Sequence, residues 1–136
     1  MMTAASVMPL LDRTMIAAFA ERLEPRLLWR LLLEAVAEAE TACRQLAELT
    51  AQPEEAGRVA HRLRGTSLNL GMVRIGQLAA VIEINAGRSG NLAMLVKELE
   101  EAVAATREMI FQTHAHEAGS YPKCLQSSIN GRVQSN

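Results

Sequence analysis

Apolar residues recur along this chain at helical spacing and nowhere alternate as they would in a half-buried strand. Leu28, Leu31, Leu32, Ala35, Ala39, Ala42, Leu46 and Leu49 form one stripe with the 3.6-residue period of a helix that buries a single face. Arg30, Glu34, Glu38, Arg44 and Glu48 fall on its other side, and Pro25 suits its first turn. Ahead of it, Leu11, Met15, Ala18 and Phe19 predict a short amphipathic helix over residues 9–22. Pro53 opens a further helix, with Glu54 and Glu55 in the first turn where the helix dipole favours them. Its predicted end is near Gly71, a natural left-handed cap. Ile75, Leu78, Ala79 and Ile82 predict a helix over residues 73–86. Residues 87–91 read as a turn, with Ser89 or Asn91 available to cap the last helix. In that helix Leu92, Leu95, Val96, Leu99, Val103, Thr106 and Ile110 are in register.

From Ala115 the pattern stops, and Gly, Ser, Pro and Asn mark a polar tail expected to be flexible. The predicted fold is all-α: an antiparallel up-and-down four-helix bundle with a short additional N-terminal helix. Residues 1–8 are the lead-in, 9–114 the bundle domain and 115–136 the tail.

Composition narrows the class. At 136 residues the chain suits one domain, able to hide roughly 70% of its unfolded surface. Its apolar runs are far shorter than the ~20 residues a membrane span needs, so no membrane partner is expected. A formal charge of −1 excludes a broadly basic nucleic-acid binder. Cys43 and Cys124 are far apart and in no C-x-x-C pattern. With no secretory signal at the start, a reduced, cytoplasmic and monomeric protein is the simplest expectation. The opening methionines and short lead-in favour a free-standing protein over a domain of a larger kinase.

His61 stands out once it is placed on a helical wheel. Val59, Leu63 and Leu70 fall within about 20° of the opposite side, so the core stripe points away from the imidazole. Both positions four residues from it are glycine, Gly57 and Gly65. Each costs roughly 1 kcal/mol relative to Ala inside a helix, and the pair leaves steric access to an exposed ring. From Ala56 to Ile82 there is no Asp or Glu, while Arg58, Arg62, Arg64 and Arg74 lie in the same window. A nucleophile requires the neutral ring, and cations along the window are expected to disfavour a further positive charge there. They also attract a phosphoryl group or an acidic partner surface.

The run Ala60-His61-Arg62-Leu63-Arg64-Gly65-Thr66-Ser67, continuing to Asn69-Leu70-Gly71, resembles the signature of histidine-containing phosphotransfer (HPt) domains. That signature is His, any residue, Leu, Lys, Gly and two small residues, with a Leu-Gly at the helix end. The likeness extends through Leu78 and Ile82-Glu83 and covers about residues 10 to 112. It implies a four-helix bundle in a multistep two-component phosphorelay. Such a domain takes a phosphoryl group from the aspartate of one response-regulator receiver and passes it to another, the receiver of a hybrid kinase being one candidate. It is a phosphocarrier without ATP-dependent kinase activity of its own. By this resemblance His61 is the acceptor through Nε2, and Arg64 stands where the family has Lys and stabilises the phosphoryl charge. Gly65 gives the partner room, and Glu83 orients the ring. Gly57, Arg58, Arg62 and Leu68 are candidates for partner docking. No cofactor belongs to the chain, because the catalytic Mg²⁺ is the receiver's. Two departures stand out. Arg for Lys changes the shape and hydrogen-bond geometry of the charge, and Leu68 replaces a small residue on the face of His61.

The competing readings are plainer. The same bundle could dock a receiver or another signalling protein without carrying phosphate. Arg58 and Arg62 read individually as solvated charges, and Asn69 and Gly71 as helix-ending devices. His114 and His116 invite a metal reading, but residues two apart on a helix do not share a face. A histidine-kinase dimerisation helix would carry an acidic residue after the His, where this chain has Arg62.

Overall fold

The computed structural model describes residues 8–88 and 91–118, with side chains as far as Thr113. Within them run five helices: α1 (Arg13–Arg22), α2 (Pro25–Glu48), α3 (Pro53–Asn69), α4 (Val73–Asn85) and α5 (Leu92–Ala118). Helix α3 packs on α2 and α4, and α5 packs on the same two, so the four long helices close a ring around one core. Short links make consecutive helices antiparallel. Leu32, Leu46, Met72, Ile75, Leu78, Ile82, Leu99 and Ile110 are fully buried at its centre. Thr106 is buried with them, its hydroxyl donating to the Ala102 carbonyl at 2.7 Å. No helix among the described residues is long and apolar enough to cross a membrane.

The helix ends obey local chemistry. Pro25 and Pro53 occupy the first turns of α2 and α3, where a missing N–H costs nothing. Helix α1 begins at Arg13, not at residue 9, because Asp12 is its cap: Oδ1 accepts from the Met15 N–H at 3.0 Å. Its inward face also differs from the expected one. Ala18 is exposed, while Ile16 and Phe19 lie against the core. The buried stripe of α2 is wider than predicted and takes in Trp29 and Val36, because α2 meets both α3 and α5. Helix α5 continues through Ala118, past the break expected at residue 115. Residues 119–136 of the expected tail, residues 1–7 of the lead-in, and Ser89 lie outside the described residues.

One joint fixes how α3 meets α4. Gly71 has φ +77°, the left-handed conformation that ends a helix at little cost for glycine. Its carbonyl accepts from the Asp12 N–H at 2.8 Å. The N-terminus of α1 is thereby seated on the α3–α4 turn. Arg74 joins the same seam, its Nε donating to the Met8 carbonyl at 2.7 Å.

Candidate functional site

Ala56, Val59, Ala60, Leu63 and Ser67 turn one face of α3 into the core. His61 is therefore left outside, with 60% of its side chain exposed. Helix α4 lies alongside and brings Glu83 to the ring: Glu83 Oε2 is 2.5 Å from His61 Nδ1. The other carboxylate oxygen meets Arg64, with Nη1 and Oε1 3.2 Å apart. Arg64 Nη2 is also 3.3 Å from Nδ1. A guanidinium only donates and a carboxylate only accepts. The short contact is thus assigned as Nδ1–H donating to Glu83, and Arg64 is bonded to the carboxylate rather than to the ring. In a neutral imidazole that assignment leaves the Nε2 lone pair free and facing solvent.

The structure separates residues that the wheel had grouped. A Cβ added at Gly65 would meet nothing within 4 Å, so this side of His61 is open. Gly57 is different. It is half-buried, and an added Cβ would lie 3.7 Å from the Cβ of Ala86 at the end of α4. The access expected from two glycines therefore comes from Gly65 alone. Leu68 was expected on the open face as a docking residue, but it is half-buried and turned onto Gly76 of α4. The wheel gave its direction correctly and could not show that α4 covers that direction at the C-terminal end of α3.

The acid-free window also changes in space. Arg58 pairs with Glu55 at 2.8 Å, Arg64 with Glu83, and Arg74 is held by Met8 at the seam. The positive patch is partly compensated by acids from just outside the window. The i,i+3 pairing of Glu55 with Arg58 was legible from spacing, whereas the approach of Glu83 depends on helix packing.

Among the described residues no group of three His, Cys, Asp or Glu side chains could hold a metal. The side chains of His114 and His116 lie outside those residues. Cys43 is a core residue, and burial, aided by Glu100 and Glu40, pushes its thiol up to about 12. It stays a protonated, inert thiol near neutrality.

The all-helical bundle holds one imidazole outward, with a carboxylate on one ring nitrogen and the other nitrogen free, in keeping with the resemblance read from the sequence. The sequence agrees: residues 26–116 match the Hpt domain, and the chain belongs to that family. It is thus a histidine phosphotransfer protein of the phosphorelay type, a class that works with response-regulator receiver domains. Helix α1 precedes the matched region. The fold resembles the crystal structure of histidine-containing phosphotransfer protein B (HptB) from Pseudomonas aeruginosa PAO1. The TM-score is 0.72 and the identity 24%, over 79% of this chain and 96% of that one. No curated protein matches the sequence significantly.

Proposed function

We propose that His61 accepts a phosphoryl group from the aspartyl phosphate of one receiver domain and passes it to the aspartate of another. The observation that carries this reading is the exposed imidazole with Nδ1 engaged by Glu83 and Nε2 free. In the accepting step the Nε2 lone pair forms a P–N bond as the P–O bond to the receiver's carboxylate breaks. That carboxylate stays with the receiver, and the Nδ1 proton stays between the ring and Glu83. Positioning and charge stabilisation supply most of the rate in such transfers. Glu83 is the positioning residue for the ring, Arg64 offsets charge on the transferring group, and Gly65 leaves the in-line path open. The Mg²⁺ that assists the transfer comes with the receiver.

The test is incubation with receiver domains phosphorylated in advance. Label should appear on the wild-type protein, be acid-labile, and be absent from His61→Gln. Arg64→Ala should slow transfer far more than it weakens binding. A protein that only docks would bind receivers, take up no label, and be indifferent to His61→Ala. Failure of the wild type to take label from any receiver of its own organism would sink the carrier reading.

A further inference from the structure

Helix α1 is only ten residues long and buries none of them. A helix this short is marginal alone in water, so α1 persists because of what it is seated on. Its seat is the α3–α4 turn. The Asp12 N–H donates to the Gly71 carbonyl at 2.8 Å, and Arg74 Nε donates to the Met8 carbonyl at 2.7 Å. Met15 and Ile16 lie over Gly71: a Cβ there would be 3.5 Å from Met15 Sδ and 3.3 Å from Ile16 Cδ1. Gly71 is buried although it ends a helix, and Met72 beside it is fully buried. The same turn joins the two arms that carry the site. Leu68 packed on Gly76 is the pivot between them. His61 lies seven residues from Leu68 along α3, and Glu83 seven residues from Gly76 along α4. At 1.5 Å per residue both groups sit about 10 Å from the pivot.

Arms of that length act as a scissor. Opening them by ~5° about the pivot parts the ring and the carboxylate by about 1 Å. The contact of 2.5 Å between Glu83 Oε2 and His61 Nδ1 would then exceed hydrogen-bond range. A ring released from Glu83 is free to carry its proton on Nε2, and no lone pair is then left there for phosphorus. We propose that α1 is a brace on this scissor: seated on the α3–α4 turn, it keeps the arms closed and so keeps the His61 proton on Nδ1. Ile16 and Arg74 are positioning residues that act on the imidazole through Glu83, from the far end of the arms. Because α1 buries nothing of its own, it can leave its seat while the four-helix core stays folded. Its docking is thus a control point on the acceptor nitrogen. The effect on transfer rests on the phosphotransfer reading; the effect on the ring proton does not.

The experiment uses the full chain, labelled with ¹⁵N, at about pH 8, above the ordinary histidine range. The ring nitrogens of His61, assigned by their loss in His61→Gln, report which one carries the proton. Ile16→Ser with Arg74→Ala should unseat α1: its amides lose exchange protection while those of the four long helices keep theirs. The proton, held on Nδ1 in the wild type, should become shared with Nε2. Uptake of label from a phosphorylated receiver should fall about fivefold, in proportion to the competent tautomer. Met15→Ala should move both readouts the same way by less, and it carries the test if the double variant fails to fold. Ala17→Ser, on the exposed side of α1, should move neither. In a Glu83→Ala background unseating α1 should add nothing, because both changes act through one contact. An α1 that is merely structural would lower Tm without moving the ring proton, or slow transfer equally with and without Glu83; either result overturns the brace. If the ring responds to α1 but the wild type takes up no label, the brace stands and the carrier reading fails. If transfer proceeds and the ring is indifferent to α1, the brace is overturned and the carrier reading survives.

Discussion

Gly65 on α3 and Gly76 on α4 are both helical glycines near the same seam, and they do opposite things. A methyl group at Gly65 would meet nothing. A methyl group at Gly76 would lie 2.5 Å from Leu68 Cδ2 and 2.6 Å from its Cγ. One glycine leaves space for something the chain does not contain; the other is filled by the chain itself. Both give up helix propensity, roughly 1 kcal/mol each. Only at Gly76 does packing recover it, through close approach of α4, and that approach is also what carries Glu83 to the imidazole. The open space at Gly65 is what the proposed approach of a receiver to His61 requires.

The largest effect should come from filling the open side. Gly65→Leu should slow phosphoryl transfer on the order of 100-fold by displacing the receiver from its in-line position, with no loss of thermal stability. If transfer is unaffected, the open side of His61 is not the approach path. Next is Gly76→Ala, which forces Leu68 or α4 to move. Overpacking costs about 1–3 kcal/mol, less the roughly 1 kcal/mol gained in propensity, and the net loss should lower Tm by a few degrees. Adding Leu68→Ala should restore part of that loss, since the two residues share one space. Simple additivity of the two variants would mean that Leu68 is not what Gly76 accommodates. Gly65→Ala is the milder counterpart: stability should rise by about 1 kcal/mol, visible as an increased Tm, with transfer slowed less than by Leu.

The smallest effect concerns the buried thiol of Cys43. Cys43 is buried where His61 is exposed, and its thiol is raised from 9.0 to about 12. Its folded value lies above the unfolded one, so its contribution to stability is complete below pH 9 and is lost as pH rises from 9 towards 12. In a Cys124→Ser background, iodoacetamide at about pH 8, below the ordinary thiol range, should leave the folded protein unmodified and label it once unfolded. Fast labelling of the folded protein would contradict the burial.

Much of this was legible in the chain. The periodic stripes located the four long helices, and Pro25, Pro53 and Gly71 marked their ends because each acts through local backbone geometry. His61 was placed outward because Val59, Leu63 and Leu70 oppose it on the wheel. The misreadings share one cause. Gly57 and Leu68 are misjudged from α3 alone because α4 lies beside it, and the acid-free window stops one residue short of Glu83, which α4 brings to Arg64. The extra buried residues of α2, Trp29 and Val36, were missed for the same reason, since a wheel shows one face while a bundle helix touches two neighbours.

By itself, then, the sequence determined an all-α bundle, an exposed histidine with an open neighbour at Gly65, and a resemblance specific enough to name its class. These come from periodicity and local steric rules, which act within a few residues. Only the tertiary structure decided that Arg64 is paired with Glu83, that Leu68 belongs to the α3–α4 seam, and that Arg62 alone among the four has no hydrogen-bond or ion-pair partner among the described residues. Those outcomes depend on which side chains two helices bring within about 4 Å of each other, the range over which packing and ion pairs act.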